Sequence, residues 1–510
     1  MNTHSGLRSL FFAAAVLASS SSQSAPFTAG NLVVVRIGTG SAPLSSASTE
    51  VFLDEFTTSG GTAVQSIALP TAANGAHQPL SAAGTAVSEA LITRSMDGRY
   101  LLLTGYAATP GTSAIAGTTS AAAPRVVARV DGTGAIDTTT VLTDFASGTN
   151  PRSAVSMNGS DLWMSGGAGG ARYAAFGSTT STQLASSPTN LRQLRIFGGQ
   201  LYTTSGSGTF RLASIGTGLP TTSGQTITNL PGLPNSTGSP YGFFMADLDA
   251  TVAGMDTLYI ADDGAAAGIL KYSLVAGTWV PNGVLAAAGI RSLTASVSGS
   301  SVTLYGCSSS SLLTVTDASG YNAAITGTVS VIATAGPSTA FRGIDWAPAS
   351  ASLSPIDTWR VLKFGPGATN TGLTANTADF DNDGLDNIHE YALGTGPNDT
   401  TGANGTSALP TKVIGSADPL LNDRLALTFT IPDPAPSDLT YVVQASDDLA
   451  IWTPLATKVG AGAWTWNPGG TSRIVTTSAG ATRIVKVGDS APAAAVSSSR
   501  RMLRLSVTNP

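Results

Sequence analysis

Short runs of alternating apolar and polar residues recur along the first two-thirds of the chain, each bounded by Gly, Ser or Asn. The run NLVVVRIG opens the series at residues 31–38, and later runs include SMDGRYLLLTG (95–105) and SGSSVTLYGCS (298–308). Alternation with a period of two is the pattern of a half-buried β-strand, and the flanking small residues are typical of tight turns. Residues 27–348 are therefore predicted to form many short strands.

Two marks repeat within this region at intervals of roughly 40 to 60 residues, the size of a four-stranded propeller blade. A Leu-aromatic pair occurs at Leu162-Trp163, Leu201-Tyr202, Leu258-Tyr259 and Leu304-Tyr305. An Arg precedes or opens an alternating run at Arg152, Arg192, Arg291 and Arg342. We predict an all-β fold whose N-terminal part is a β-propeller of six or seven blades, with a parallel β-helix as the alternative.

A propeller must join its first and last blades, because an open ring would leave exposed strand edges. We therefore expect the strand at residues 32–37 to pair with the strand near residues 342–346. The repeated arginines have two possible roles: lining the channel to bind an anionic ligand, or bracing neighbouring blades through carbonyl and Asp oxygens. Because the mark recurs from unit to unit, we favour bracing.

The strand pattern breaks at DFDNDGLDNIHE (379–390), which places five carboxylates in twelve residues of a chain that is only 11% charged. The stretch matches the Ca²⁺ loop pattern D-x-[DN]-x-[DN]-G-x5-E at every required place. In such a loop alternate oxygens face the cation, Gly allows the bend, and the last Glu supplies two oxygens. The predicted Ca²⁺ ligands are Asp379, Asp381, Asp383, the Leu385 carbonyl, Asn387 and Glu390.

The eighth loop position is Asp386, where paired EF-hand loops usually carry an apolar residue. No second loop of this kind occurs in the chain, and the stretch instead resembles the single acidic loops of dockerin and thrombospondin type 3 repeats. Helical spacing follows the loop, with Gly394 as a stop, and Trp359, Leu362 and Phe364 precede it as packing partners. We expect residues 357–400 to form a calcium-stabilised linker module without catalysis.

Alternating strands return in the last hundred residues, for example RLALTFTIP (424–432) and LTYVVQAS (439–446). Their number and spacing predict a small immunoglobulin-like β-sandwich over residues 412–510. Three tryptophans have two possible roles there, as a sugar-stacking platform or as core residues, and we favour the core. They are Trp452, Trp464 and Trp466.

The N-terminus carries an Arg, a short apolar run and then small residues, which predicts an export signal over residues 1–25. We therefore expect a protein of the periplasm, cell surface or extracellular space, without a transmembrane segment. The net charge of -5 and the lack of a basic cluster argue against nucleic acid as a partner. Cys307, the only cysteine, is expected to be a structural strand residue.

Candidate catalytic groups are sparse. His77 is the only histidine outside the signal and the acidic loop, and it lies in a Gly and Ala-rich loop without a recognisable nucleophile motif. A carboxylate-only metal site in the channel is the stronger catalytic hypothesis, although a strand-ending Asp-Asp-Gly is commonly a turn. Its candidate ligands are Glu89, Asp247, Asp262, Asp263 and Asp345.

The ordered segments FTAGNLVVVRIG, NPRSAVSMNGSDLWMSGG and DTLYIADDG resemble uncharacterised secreted bacterial propeller-type proteins, and the acidic module with YVVQASDDLAIWTPL resembles C-terminal segments of secreted Verrucomicrobia-like proteins. The resemblance implies export and fold but no known activity. We expect an exported binding or structural protein, with a glycan or a protein as ligand and no catalytic residues. The alternatives are a metal-dependent lactonase-like propeller hydrolase and a carbohydrate-binding protein.

Overall fold

The computed structural model describes residues 25–249, 251–264, 268–349, 353–364, 368, 370, 372–397, 410–414, 418–492 and 501–509. The expected export signal lies almost wholly outside these residues, and so does most of the linker after Gly394. The described residues are mainly β-strands, which agrees with the predicted fold class.

Short strands joined by tight turns make up the chain up to Trp346. In chain order they are β1 (Leu32–Ile37), β2 (Ser48–Thr49), β3 (Val51–Phe56), β4 (Gln65–Ala68), β5 (Ala82–Ala83), β6 (Thr93–Arg94), β7 (Tyr100–Tyr106), β8 (Arg125–Asp131), β9 (Ile136–Leu142), β10 (Pro151–Val155), β11 (Asp161–Gly166), β12 (Ala171–Ala175), β13 (Thr182–Ala185), β14 (Leu194–Phe197), β15 (Gln200–Thr204), β16 (Leu212–Ile215), β17 (Ile227–Asn229), β18 (Pro240–Ala246), β19 (Thr257–Asp262), β20 (Gly268–Val275), β21 (Thr278–Ala286), β22 (Ser292–Ser298), β23 (Ser301–Cys307), β24 (Ser311–Asp317), β25 (Ser330–Thr334) and β26 (Ala340–Trp346). A 3₁₀ turn lies at Ile115–Gly117.

Six four-stranded antiparallel sheets are formed by these strands and constitute a six-bladed propeller. Blade one has the strand order β26-β1-β3-β4, and blades two to six are β6–β9, β10–β13, β14–β17, β18–β21 and β22–β25. The predicted closure is confirmed, because β1 pairs with β26 from Leu32 opposite Trp346 to Ile37 opposite Ala340. The last strand of the ring thereby supplies the innermost strand of the first blade.

The two repeated marks occupy equivalent places in the blades. In blades three, four and six an Arg lies at the start of the innermost strand, and the Leu-aromatic pair lies on the strand that follows. The Leu of each pair is fully buried between neighbouring blades, as in Leu162, Leu201 and Leu304. Blade five departs from this pattern, because its innermost strand begins with Pro240 and Tyr241 in place of an Arg.

Two helices follow the propeller: α1 (Pro355–Phe364) and α2 (Asn387–Leu393), with a 3₁₀ turn at Gly372–Thr374 between them. Helix α1 packs against the propeller at the end where the innermost strands finish, because Leu353, Val361 and Leu362 share a core with Met96 and Met157. The backbone amide of Ala349 also donates to the carbonyl of Gly98, which lies in a turn at the same end of blade two.

Eight strands form two four-stranded sheets at the C-terminus, and they are β27 (Thr411–Ile414), β28 (Leu425–Pro432), β29 (Thr440–Ser446), β30 (Thr453–Val459), β31 (Thr465–Trp466), β32 (Ile474–Ala479), β33 (Thr482–Gly488) and β34 (Met502–Thr508). One sheet has the order β27-β28-β33-β32 and the other β31-β30-β29-β34. Both sheets contribute to one hydrophobic core, which also takes in Ile356 of α1 and Ile388 of α2. Among the described residues no helix is long and apolar enough to cross a membrane.

Candidate metal centre

The acidic stretch folds as a tight loop that runs directly into helix α2. Its first three ligand positions, Asp379, Asp381 and Asp383, each offer a carboxylate oxygen, and these three oxygens lie within 4.8 Å of one another. The backbone amide of Gly384 donates to Asp379 Oδ2 at 3.0 Å, and Gly384 has a φ of 96°, in the region that favours glycine. The loop therefore gathers three negative charges around one point.

Glu390, the twelfth loop residue, is the group most in need of a partner. Its side chain is 1% exposed, and neither carboxylate oxygen has a hydrogen-bond partner among the described residues. Burial, followed by the nearby carboxylates of Asp381, Asp383 and Asp379, raises the pKa of Glu390 to about 9. A buried carboxylate without donors is strongly destabilising unless it is protonated or contacts a cation.

Two more oxygens of the predicted ligand set are buried without a hydrogen-bond partner in the described ranges. They are Asp381 Oδ2 and Asn387 Oδ1. Asn387 donates its amide nitrogen to the carbonyls of Leu373 and Ala375, at 3.0 and 2.7 Å, which leaves the amide oxygen as the unused atom. A hard cation such as Ca²⁺ binds oxygen ligands, so it can act as the partner of acceptor oxygens that have no donor.

Asp386 has a structural explanation that its sequence position did not reveal. It is the N-cap of α2, because its side chain accepts from the backbone amide of His389 at 3.1 Å and contacts His389 Nδ1 at 2.6 Å. A carboxylate suits this place, since helix N-termini favour negative charge and an acceptor side chain. The helix ends as predicted at Gly394, which is left-handed and donates to the Glu390 carbonyl.

The loop is held between the propeller and the C-terminal sheets. As expected, Trp359 and Phe364 pack on this segment, with Trp359 at 5.6 Å from Tyr391 and Phe364 at 5.2 Å from Phe380, measured between ring centroids. Leu362 does not, because it packs on the propeller. The Leu385 side chain is buried in the core of the C-terminal sheets. A cation at the loop would therefore stabilise both helices and their contacts on either side.

The predicted channel carboxylates do not converge in the described part of the chain, where the acidic loop is the only group of three metal-type side chains. Asp345 is the most central, and it pairs with Arg195 at 2.5 Å and accepts from Thr294. Asp262 accepts from the amides of Ser239 and Gly264, which is the predicted turn role. Asp263, Glu89 and Asp247 also have partners in the fold.

The remaining sequence candidates lie apart from the acidic loop. His77 is in a loop, where its Nδ1 accepts from the amide of Thr138 at 3.3 Å. Cys307 is a buried strand residue, as expected, and burial raises the pKa of its thiol to about 12.

Trp464 packs against Phe429 and Tyr441, which supports the core role, and it also borders a cleft of about 500 Å³ that contains Lys458 and Arg483. Trp452 and Trp466 are half-buried.

No family model matches the chain, and no curated protein matches it. Among solved structures, it is similar to a Bacteroides fragilis protein named as a candidate 6-phosphogluconolactonase, with 12% identity, 62% of this chain and 98% of the other covered, and a TM-score of 0.37. A gluconolactonase from Xanthomonas campestris is 12% identical, with 63% of this chain and 98% of the other covered and a TM-score of 0.31. The Dos1 propeller is 10% identical, with 46% of this chain and 59% of the other covered and a TM-score of 0.28. Similarities this weak carry no argument about function, and the propeller rests on its own strand pairing.

Proposed function

We propose that this chain is an exported, non-enzymatic binding or structural protein whose two β-rich parts are held together by a Ca²⁺ ion in the loop at residues 379–390. The observation that carries the metal proposal is the buried Glu390 carboxylate, which has no hydrogen-bond donor in the described part of the chain and lies among three aspartates. Asp379, Asp381, Asp383, Asn387 and Glu390 would supply side-chain oxygens, and Leu385 its carbonyl.

Ca²⁺ is proposed over Mg²⁺ because the loop offers many oxygens from flexible side chains. Mg²⁺ requires a smaller, nearly octahedral shell and usually keeps several waters. A single loop with a helix-capping Asp386 is consistent with the structural role of dockerin-like and thrombospondin type 3-like loops. The parts so joined would be the propeller (27–348), the linker module (357–400) and a β-sandwich (412–510), with a glycan or a protein as the extracellular ligand.

The metal proposal is tested by calorimetric titration of the chelated protein with Ca²⁺ and by thermal unfolding in Ca²⁺ and in EDTA. Saturating Ca²⁺ should stabilise the protein by about 2 to 3 kcal/mol when present at roughly a hundred times its dissociation constant. Asp383→Ala should abolish both the binding heat and the stabilisation, because it removes one of the three clustered carboxylates.

Asp386→Asn is the matched control, since it also removes one negative charge from the loop but leaves the predicted ligands in place. Asn caps helices about as well as Asp, so this variant should keep Ca²⁺ binding. Absence of binding heat at millimolar Ca²⁺ would show that the loop is only an acidic turn. An equal loss of binding in both variants would show that net charge, and not the predicted ligand set, holds the ion.

The lactonase-like hydrolase is the main alternative, and two of the similar solved structures carry lactonase names. That hypothesis requires several propeller carboxylates around one point, whereas Asp345 and Asp263 are each paired with an Arg. A screen of lactone hydrolysis with the full chain in Ca²⁺ and in EDTA tests it directly. Metal-dependent turnover that survives Asp383→Ala would establish the hydrolase and overturn the non-enzymatic proposal.

A further inference from the structure

Three arginines gather at the end of the propeller channel where the innermost strands begin. Arg152, Arg192 and Arg291 belong to blades three, four and six, and Tyr241 of blade five lies between them. The guanidinium carbon of Arg192 is 3.8 Å from the centroid of the Tyr241 ring, and that of Arg291 is 5.4 Å from the same centroid. We call these four residues the arginine mouth.

The opposite end of the channel is the end covered by helix α1. The innermost strands of blades two and three are followed there by Met96 and Met157, which pack with Leu353 and Val361. The arginine mouth therefore faces away from the helical segment, and Arg152, Arg192 and Arg291 each keep part of the side chain exposed.

Bracing of the next blade uses only part of each guanidinium group. Arg152 Nη1 donates to Asn190 and to the carbonyl of Leu191, and Arg192 Nη1 donates to Ser239 and to the carbonyl of Pro240. Within the described residues, Nη2 of both arginines has no acceptor. The predicted bracing role is thus confirmed, and it leaves donors unused at the channel opening.

Arg291 differs from the other two, because it does not brace a following blade. Its Nη2 lies 2.6 Å from Asp263 Oδ2 in the preceding blade, and its Nε is buried without a partner among the residues that the structure describes. The Nε of Arg152 is buried without a partner as well. Blades that served only a structural purpose would use their arginines alike, so this unequal use favours a site.

Beneath the mouth lies Gln193, a fully buried side chain. Neither its amide nitrogen nor its amide oxygen has a partner among the described residues. The oxygen approaches blade five, where a Cβ placed on Gly242 would lie 3.0 Å from it. A fully buried amide with both atoms unused is uncommon in a purely structural role, because each unpaired atom carries a desolvation cost.

Positive charge at the mouth exceeds the negative charge that faces it. Burial lowers the pKa of Arg192, while Tyr241, Asp263 and Asp262 raise it and Arg291 lowers it again. Burial and Arg192 likewise lower the pKa of Arg152, while Tyr241, Glu89 and Tyr106 act to raise it. The guanidinium groups of Arg152, Arg192 and Arg291, with Arg342 of blade one close to Arg291, thus face three carboxylates, which are Asp262 and Asp263 near Arg192 and Glu89 near Arg152. Asp262 already accepts from backbone amides, and Glu89 accepts from Tyr106, Asn150 and the amide of Ala83. In a chain of net charge -5 this is a local reversal of sign.

We propose that the arginine mouth binds a small oxyanion, a carboxylate or a tetrahedral oxyanion group, at the channel opening. Arg152, Arg192 and Arg291 hold the anion through their unused N–H donors, and Tyr241 keeps two of the guanidinium groups in place by stacking. Arginine suits this role because its planar fork matches carboxylate and phosphate-like oxygens in pairs. The proposal does not depend on the metal loop, which lies beyond the other end of the channel.

The test is calorimetric titration of the full chain with sodium malonate and with sodium sulfate at constant ionic strength and saturating Ca²⁺. Saturable binding whose affinity falls when the titration is repeated at higher ionic strength supports the proposal. The anion that binds with the higher affinity shows whether the site prefers a planar carboxylate or a tetrahedral group. Arg192→Met and Arg291→Met should each weaken binding at least tenfold. Arg172→Met is the matched control and should bind the anions like the wild type. Arg172 lies on β12 of blade three and pairs with Asp144.

Arginine modification by phenylglyoxal on the wild-type protein gives a second measurement if a variant fails to fold. Bound anion should protect Arg152, Arg192 and Arg291 selectively, as mapped by mass spectrometry. No saturable heat with either anion, or equal protection of Arg172, would overturn the site.

Discussion

The acidic loop and the arginine mouth both bring like charges together, but they differ in how many of the charged groups have hydrogen-bond partners in the protein. In the loop, Glu390 presents two buried oxygens that no donor reaches among the residues the structure describes. In the mouth, Arg152 and Arg192 already donate to carbonyls of the next blade. Within the described residues, the Glu390 carboxylate thus has no hydrogen-bond donor, although the Lys363 ammonium acts on it as a counter-charge, whereas the arginines of the mouth have partners for part of their donors.

This difference follows from the chemistry of the two side-chain types. A carboxylate only accepts hydrogen bonds, and a loop of consecutive residues offers few spare N–H groups, so an external cation is the partner that we propose for it. A guanidinium has five N–H donors and can brace the backbone while keeping other donors free. The loop should therefore depend on its ligand for stability, while the mouth should not.

A buried ion pair with all its partners present gives a reference for the stability effects expected in both regions. Lys271 Nζ lies 2.8 Å from Asp317 Oδ2 with both side chains completely buried, and it also donates to Ser319 and Gly320. Lys271→Met leaves Asp317 buried without its counter-charge and should reduce the free energy of unfolding by about 3 to 5 kcal/mol. Denaturant unfolding measures this, in Ca²⁺ and in EDTA alike.

Arg99→Gln is the control for that variant, because its partner Asp97 belongs to a more exposed pair and the loss should stay below about 1 kcal/mol. The same interior pair has a pH signature. Burial opposes ionisation of Asp317, but Lys271, Ser319, Thr326 and Tyr259 together hold its pKa below the ordinary 3.8. Its contribution is complete above that value and is lost as the pH falls further, so an acid titration in which Asp317→Asn matches the wild type would contradict the assignment.

The change in stability caused by Glu390→Gln should have opposite signs with and without the metal. No variant of the arginine mouth should show such a reversal. In EDTA the substitution removes a buried unpaired acid and should stabilise the protein by about 2 kcal/mol. In Ca²⁺ it removes a predicted bidentate ligand and should destabilise by a similar amount. Paired thermal unfolding scans measure both, and an effect of the same sign in both buffers would remove the basis for the contrast.

Arg342→Lys should lower the free energy of unfolding only slightly, and this loss should not respond to Ca²⁺. Arg342 donates Nε to Ala86, Nη1 to Phe341 and Nη2 to Gly84, all backbone carbonyls, so it is wholly engaged in bracing. Lysine keeps the charge but cannot reach all three, and the loss should be about 1 kcal/mol. A difference between Ca²⁺ and EDTA would mean that the propeller and the loop are energetically coupled.

Sequence periodicity was sufficient for the strand content, the propeller and the pairing of its first and last strands, because a ring must close. It could not choose between six and seven blades, since the spacing of the marks is irregular and blade five lacks its Arg. Tyr241 and Gln193 carry no sequence mark at all, and their position at the mouth emerges only when consecutive blades are placed side by side.

The acidic loop was determined by the sequence itself, because its six predicted ligands lie within twelve consecutive residues and local geometry brings them together. The role of Asp386 was not determined by the sequence, since a residue caps a helix only if the helix begins directly after it. The burial of Glu390 and the gathering of the three arginines were decided by tertiary structure alone. Burial requires the C-terminal core to close over the helix, and the mouth requires side chains about 140 residues apart to meet at one end of a ring.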